Sequence, residues 1–587
     1  MTQTYITGKD DSLENAIARM QTALADNGFN IIEHQWGNPA PNIWWVHIRD
    51  ADNPQCFTNG KGRCRAAALA SALGEFIERL SCNYFFADYY LGADIAGGDF
   101  VHYPDEKWFT TPAGTLASER PAGLLTDELA NFYDPDETLA LSDLHDINAG
   151  LSERGICALP FERQRDGERV YFPVNIIGNL YVSNGMAAGN TVTEARTQAL
   201  SEIFERWIKN RIIAEGIALP TVPDAVLGRY PFATESLDSM RAQGYVVQVF
   251  DASLGGEFPV IAATLFTPED GGCLTSFGAH PNFAVALERT LTELLQGRQL
   301  KDLETFPTPT FDNDWVGDAH NLETHFIDST GLISWDWFCG NKDYDFVDWD
   351  FAGDTASECQ FLLDRLQAVA DVYIADYNYL GVYACRILVP SVSEIYPVEE
   401  LTQYNNNVGN AVREAILQLP ATPNQKLNGS SVQAIQDWLD NSGLDDSERL
   451  CQVLGLAAEA DNPWHGVRLG ELRLFLALKL GQAEEALAAL DWLKHFEHGA
   501  MPVERQRFFA CLQAQLLLQM DEERHAEDYG ILRQVFGDDI YRAGQAHLAG
   551  TACCFGLPAV DLSLKGFSQH QRWLSRYRVW QAAKYEK

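Results

Sequence analysis

The feature that most constrains this chain is an internal match, because a sequence that repeats a pattern must build the same local structure more than once. NGKGRCRAAALASALGEFIER, Asn59 to Arg79, aligns at a constant offset with MAAGNTVTEARTQALSEIFER, Met186 to Arg206. The shared positions are Gly62/Gly189, Ala68/Ala195, Ala72/Ala199, Leu73/Leu200, Glu75/Glu202, Glu78/Glu205 and Arg79/Arg206. A weaker third copy, GAHPNFAVALERTLTELLQG, Gly278 to Gly297, sets Gly278, Ala286, Leu291 and Glu293 opposite Gly60, Ala68, Leu73 and Glu75, with Gln296 in place of Glu78.

Each copy reads as a glycine-containing loop followed by a helix. Positions i, i+4 and i+7 share a helix face. The matched faces are therefore Ser71, Glu75, Glu78; Gln198, Glu202, Glu205; and Arg289, Glu293, Gln296. A single E-x-x-E-R is ordinarily a solvated helix face, but solvated faces have no reason to keep spacing across three copies. Glutamates three apart also cost a helix a few tenths of a kcal/mol unless compensated. Gathering carboxylates makes sense if they share cations, and oxygen ligands without Cys or His suit a hard ion such as Mg²⁺. Mg²⁺ prefers carboxylates together with phosphate oxygens, and a nucleoside triphosphate supplies those. Donors for phosphate lie close in sequence. Lys61 sits in Gly60-Lys61-Gly62, and Ser183-Asn184-Gly185 and Ala187-Ala188-Gly189 precede the second helix, whose N-terminal amides favour anions. Arg79, Arg206 and Arg289 can offset the carboxylates or grip phosphate with two N–H groups. The Walker pattern and the protein-kinase motifs are absent.

Composition narrows the partners. The 587 residues carry 43 Lys+Arg against 82 Asp+Glu, a net charge of −39. That argues against autonomous binding to nucleic acid or anionic membrane and permits a basic protein partner. The N-terminus, MTQTYITGKDDS, is polar, and no uninterrupted apolar run approaches the roughly 18 residues of a spanning helix. A soluble, cytoplasmic protein is expected. The 12 cysteines are scattered without a C-x-x-C, and Cys553–Cys554 is the one close pair. They read as reduced thiols.

Tyr245–Asp251, Phe258–Phe266, Asp371–Tyr377 and Val382–Pro390 read as strands among helical segments. A Pro/Asn/Gly/Ser stretch, Leu419–Ser431, then separates them from sequence of almost purely helical period. The expected fold is therefore an α/β (α+β) ATP-binding domain of three strand–loop–helix repeats over residues 1–425, followed by an all-α domain over 426–587. In the latter, Leu469, Leu472, Leu476 and Leu480 form one face, a turn follows at Gly481, and Ala486, Leu490 and Leu493 form the next. Phe509, Leu512 and Leu516 begin a similar pair about forty residues on, with Ala526 opposite Ala486. This is either a tetratricopeptide-like array with a lengthened connection (His498 to Glu504) or an ordinary helical bundle. A homodimer with an interface beyond about residue 425 is expected. A chain cut near Thr422 should then be a monomer that keeps its carboxylate helices.

At these residues the sequence resembles the YcaO family. The resemblance runs over roughly Asn59 to Pro397 and rests on S-x-x-x-E-x-x-E-R, Ser-Asn-Gly…E-x-x-E-R and Gly-Ala-His-Pro…E-x-x-Q. The overall length, N-terminal extension and acidic helical C-terminus resemble its stand-alone bacterial members. The resemblance implies an unusual ATP-binding fold whose acidic helices hold Mg²⁺ and the triphosphate. It implies ATP-driven activation of a peptide amide oxygen, as in cyclodehydration to azolines. For stand-alone members it implies an accessory role to a radical enzyme in β-methylthiolation of a small-subunit ribosomal protein. Carried over residue by residue, Glu75, Glu78, Glu202 and Glu205 are Mg²⁺ ligands. Ser71, Asn184, Gln198, Arg206, Arg289, Glu293 and Gln296 contact ATP, and Lys9, in Gly8-Lys9-Asp10, is a further phosphate contact. Glu78, Glu205 and Arg206 are the expected catalytic residues. Azoline-forming members commonly end in a Pro-rich tail, whereas this chain ends VWQAAKYEK with no proline after Pro558. Two functions are compatible with this: a Mg²⁺/ATP-dependent enzyme acting on a protein or peptide amide, or a non-catalytic nucleotide-stabilised adaptor that recruits partners through its C-terminal helices. The partners in view are a basic ribosomal protein and a radical methylthiotransferase.

Overall fold

The computed structural model describes residues 3–112, 114–146, 152–303, 306–402, 408–421, 429–496 and 501–585. Helix α1 (Leu13–Asp26), capped by the Ser12 hydroxyl on the Asn15 amide, precedes an antiparallel sheet of β1 (Ile31–Ala40), β2 (Ile43–Asp50) and β3 (Phe57–Gly62). Strand β3 leads into α2 (Arg65–Ser81). Strands β4 (Lys107–Phe109), β5 (Ile156–Arg163), β6 (Arg169–Pro173) and β7 (Met186–Gly189) follow, and β7 leads into α3 (Val192–Glu215). A second antiparallel sheet holds β8 (Val246–Asp251), β9 (Val260–Phe266) and β10 (Cys273–Ala279), and β10 leads into α4 (Phe283–Leu294). Helix α5 (Thr355–Gln367) precedes β11 (Tyr373–Tyr377) and β12 (Tyr383–Leu388). These last strands complete a sheet ordered β4-β5-β11-β12-β7, with β6 on β5. The four runs read as strands are thus β8, β9, β11 and β12, trimmed by a residue or two at their ends. The named strand pairs are antiparallel, so the architecture is α+β.

The three matched segments are each a strand that turns at once into a helix. Their shared glycines lie in the strands, not in loops as expected: Gly60 and Gly62 in β3, Gly189 in β7, Gly278 in β10. The cause is steric. Each helix folds back directly onto its own strand, and a Cβ at Gly278 would come 2.6 Å from the Thr290 amide nitrogen and 2.7 Å from the Ala286 carbonyl. A Cβ at Gly189 would meet the Ala195 amide at 2.5 Å, and one at Gly60 would strike the Ala68 carbonyl and the Ala72 amide. The motif alanines are the other half of this contact. Each helix also leans on the strand of another unit: α2 on β7, α3 on β10, α4 on β3. The three units therefore close a ring. Their apolar faces, led by Phe76 and Ile77, Ile203 and Phe204, and Leu287 and Leu291, are fully buried. The acidic faces are left toward the middle of the ring.

Beyond the Pro/Asn/Gly/Ser stretch, whose residues 422–428 lie outside the described residues, helices Leu469–Leu480, Ala483–Phe496, Val503–Met520 and Asp538–Leu548 surround a core that includes Leu472, Leu476, Leu490, Leu493, Phe509, Leu512 and Leu516. Gly481 joins the first two in the left-handed conformation, φ 72°. The forty-residue spacing then lapses. Ala526–Tyr529 is a short 3₁₀ turn, and the helix packed on Val503–Met520 starts only after Gly537. Residues 498–500 of the connection from His498 to Glu504 lie outside the described residues.

The final helix, Ser568–Ala583, returns to the first part of the molecule. Trp573, Leu574, Tyr577 and Trp580 are buried with Phe76, Ile77, Leu80 and Phe86. Trp580 Nε1 donates to Asn83 Oδ1 at 2.9 Å, and Lys584 Nζ donates to the same oxygen at 2.8 Å and to the His102 carbonyl at 2.6 Å. A cut near Thr422 therefore removes part of the core under α2, which weighs against the expectation that such a fragment keeps its carboxylate helices. No helix of the described residues is long and apolar enough to cross a membrane. Trp573→Ala should lower the unfolding free energy by about 3–5 kcal/mol in urea titration. A loss below about 1 kcal/mol would make the returning helix peripheral to this core.

Candidate functional site

The acidic faces of α2 and α3 are built alike. In each, the first glutamate pairs with the arginine one turn on: Arg79 with Glu75 at 2.6 Å and Arg206 with Glu202 at 2.8 Å. The second glutamate is left facing across the ring. Glu205 lies 3.7 Å from Arg289 on α4, whose guanidinium also donates to Gln198 Oε1 at 2.8 Å. Glu78 has, among the described residues, neither an ion pair nor a side-chain hydrogen bond. Burial, then the facing Glu202 and Glu75 carboxylates, push it well above the usual carboxylate range. Burial likewise raises Glu202, opposed by Arg206. From β3, Lys61 pairs with Glu293 of α4, and the Asn59 carbonyl accepts from Gln296 Nε2 at 2.8 Å. Burial lowers the Lys61 ammonium to about 8, against the pull of Glu205.

Eleven anticipated positions thus come together: Lys61, Glu75, Glu78, Arg79, Gln198, Glu202, Glu205, Arg206, Arg289, Glu293 and Gln296. The other three sit differently. Ser71 is exposed one turn up α2 from Glu75. Lys9 is drawn to Glu194 at the start of α3, at 3.3 Å. Asn184 is buried on the turn before β7, where its Nδ2 donates to the Ser393 carbonyl at 2.8 Å.

Two residues escaped the sequence reading. Lys209 continues the α3 face one turn past Glu205 and is buried, donating to the His325 carbonyl at 2.8 Å. Burial lowers it to about 8, with Glu205 opposing. Its i+4 spacing from Glu205 was the available signal. Arg386, buried on β12, donates to the Ile177 carbonyl at 3.1 Å and to the Val182 carbonyl. Val182 is held at φ 50°, a strained conformation for a β-branched residue, two positions before Asn184. Arg386 lies inside a β-run and gave no sequence signal. Tyr84 and Phe326 carry the Arg79 and Arg206 guanidiniums over their rings at 5.1 and 4.7 Å.

The donor set can be tested against Mg²⁺ and a polyphosphate. Among the described residues no three or more His, Cys, Asp or Glu side chains are arranged as a metal cage. The four glutamates offer only oxygen, which fits a hard cation that takes its other ligands from water and phosphate. Arg79 Nε, Arg206 Nη1 and Arg289 Nε are buried without a partner, as is Asn184 Oδ1. Buried guanidinium N–H groups left open beside a cluster of carboxyl groups fit a ligand that is itself anionic and carries cations.

The fold and this site define a class of protein. Residues 59–393 match the family described as YcaO cyclodehydratase, ATP- and Mg²⁺-binding, and residues 409–586 match the YcaO cyclodehydratase C-terminal domain. The chain belongs to the YcaO family. It is 52% identical over 586 residues to the ribosomal protein S12 methylthiotransferase accessory factor YcaO of Escherichia coli (strain K12), covering 100% of this chain and 99% of that protein. It is 48% identical over 587 residues to an uncharacterized protein of Haemophilus influenzae, again covering 100% and 99%. Among solved structures, YcaO from Methanopyrus kandleri bound with AMPPCP and Mg²⁺ aligns at 17% identity over 67% of this chain and 95% of that one, with a TM-score of 0.40.

Because folding raises the Glu78 carboxyl, the folded chain keeps a proton that the unfolded chain releases as pH climbs past 4.5. Stability falls over that window as pH rises. Glu78→Gln removes the titration. The variant should be more stable than the parent at pH 7, by on the order of 1 kcal/mol, and the gain should vanish near about pH 4. Urea titrations at both pH values check this, and a variant less stable at pH 7 contradicts it.

Proposed function

We propose that this chain is a Mg²⁺-dependent, ATP-hydrolysing member of its family that activates an amide of a protein or peptide. In this reading it acts as an accessory to β-methylthiolation of a small-subunit ribosomal protein. The observation that carries the reading is the convergence of two E-x-x-E-R faces with open, buried guanidinium N–H groups. Glu75, Glu78, Glu202 and Glu205 would hold Mg²⁺. Bound Mg²⁺ and ATP supply charge neutralisation and an electrophilic phosphoryl group. Arg206, Arg79 and Arg289 orient the phosphates through their unpartnered nitrogens. Lys61 and Lys9, turned from Glu293 and Glu194, add charge. Ser71, Asn184, Gln198, Glu293 and Gln296 complete the contacts to ATP. Glu78, Glu205 and Arg206 are the catalytic residues of this proposal.

Residues 1–425 are assigned the chemistry and 426–587 the recruitment of partners, in the cytoplasm. The name of the 52%-identical relative supports the accessory role, and the net charge of −39 supports a basic partner. A homodimer formed through the C-terminal helices belongs to the same proposal, and exposed Leu517, Met520, Ile531 and Val535 support it. The alternative is the non-catalytic adaptor. It is favoured by the Glu75–Arg79 and Glu202–Arg206 pairs, which stabilise their helices without any nucleotide.

ATP with Mg²⁺ should raise the thermal midpoint, since a ligand at a hundred times its Kd adds about 2.7 kcal/mol to the folded state. No shift at millimolar nucleotide would sink the site. Glu78→Ala and Glu205→Ala should each fold, because alanine is a good helix former, and lose ATP turnover. A variant that hydrolyses ATP like its parent removes that glutamate from the proposed catalytic set. Steady-state turnover of zero in the parent itself would select the adaptor.

A further inference from the structure

Outside the site, one chemical group is placed for a reaction that the proposed function does not use. The Cys553 and Cys554 sulfurs lie 3.2 Å apart, against about 2.0 Å in a disulfide. Neighbouring side chains of an extended chain point to opposite faces. These two are turned onto one side because Cys554 is held in the left-handed region, φ 55°. The turn is fixed from both ends. The Leu557 amide bonds the Cys554 carbonyl at 3.0 Å, Arg505 Nη1 donates to the Phe555 carbonyl at 2.8 Å, and Phe555 stacks on Phe508 with centroids 3.9 Å apart. Both cysteines are covered, with 8% and 3% of their surface exposed. Among the described residues no other two cysteine sulfurs are hydrogen-bonded to each other; the Cys82 thiol meets the Cys385 carbonyl instead, at 3.7 Å.

We propose that Cys553–Cys554 is a modification site: a vicinal dithiol that a hydroperoxide oxidises to a disulfide. The roles of the two thiols differ. The two thiols share a hydrogen bond in which either can donate; with Cys554 as donor, that bond, aided by the Lys479 charge, lowers the Cys553 thiol below its usual value, while burial pushes Cys554 well up. The Cys553 sulfur, as thiolate, attacks one peroxide oxygen. The O–O bond breaks, the departing oxygen takes a proton and leaves as water or an alcohol, and Cys553 becomes a sulfenic acid. The Cys554 sulfur then displaces that hydroxyl. The S–O bond breaks, the S–S bond forms, and the hydroxide leaves as water with the Cys554 proton. The two thiols lose two electrons and the peroxide gains them. Closing the ring moves Phe555, so the change reaches the helices Val503–Met520 and Asp538–Leu548 against which it packs.

The test treats the full-length reduced chain with hydrogen peroxide, blocks remaining thiols, and follows each cysteine-containing peptide by mass. The peptide holding both residues should lose two hydrogens, and regain them with dithiothreitol, ahead of oxidation at the exposed Cys64 and Cys339. Cys553→Ser should leave Cys554 reduced over the same time. A pair that stays reduced while Cys64 and Cys339 oxidise overturns the proposal. So does oxidation of Cys554 in the Cys553→Ser chain at the parent's rate.

Discussion

The structure depends on one steric condition, the direct seating of a helix on the strand that precedes it. Gly60, Gly189 and Gly278 on the strands and Ala68, Ala195 and Ala286 on the helices are small because backbone meets backbone there. At that separation the helix cannot roll, since any larger residue would lift it off its strand. The direction in which α2, α3 and α4 present their polar faces is thereby fixed. Because each helix also leans on a strand of another unit, the faces are turned toward one another rather than outward.

This convergence has an electrostatic cost. Facing carboxylates repel, and burial makes it harder to keep them charged. The chain offsets part of that cost itself, with Arg79 on Glu75, Arg206 on Glu202, Arg289 near Glu205 and Lys61 on Glu293. Among the described residues it leaves Glu78 without an ion pair and the Arg79, Arg206 and Arg289 guanidiniums each with an open nitrogen. A protein selected for stability alone gains nothing from that arrangement, whereas a site for a cation-carrying anion requires it.

The acidic positions were legible in the sequence because a shared helix face forces the spacing of Glu75 and Glu78 and of Glu202 and Glu205 to recur. The strands β8, β9, β11 and β12 were legible from their apolar runs. The glycines were misread as loop residues, because a glycine at a strand end and one in a loop leave the same mark; only the helix above it distinguishes them. The last helix showed its aromatic face, Trp573, Tyr577 and Trp580 at i, i+4 and i+7, but a helix face does not say what it will cover. The forty-residue spacing failed for a similar reason. Apolar periodicity recurs in any bundle, and Gly530 and Gly537 broke the second helix where the count required it. Arg386 was invisible because an arginine inside a β-run looks like an edge residue until its carbonyl partners are placed.

The central claim is that the carboxylates and arginines form one site in which Mg²⁺ and a nucleoside triphosphate bind together. Titration calorimetry of a non-hydrolysable ATP analogue, with Mg²⁺ present and with it chelated, addresses that directly. Coupled binding must be reciprocal, so the account predicts that the analogue tightens severalfold with Mg²⁺, that Mg²⁺ tightens equally with the analogue, and that Glu202→Gln abolishes the coupling. Equal nucleotide affinity with and without Mg²⁺ in the parent chain would contradict it.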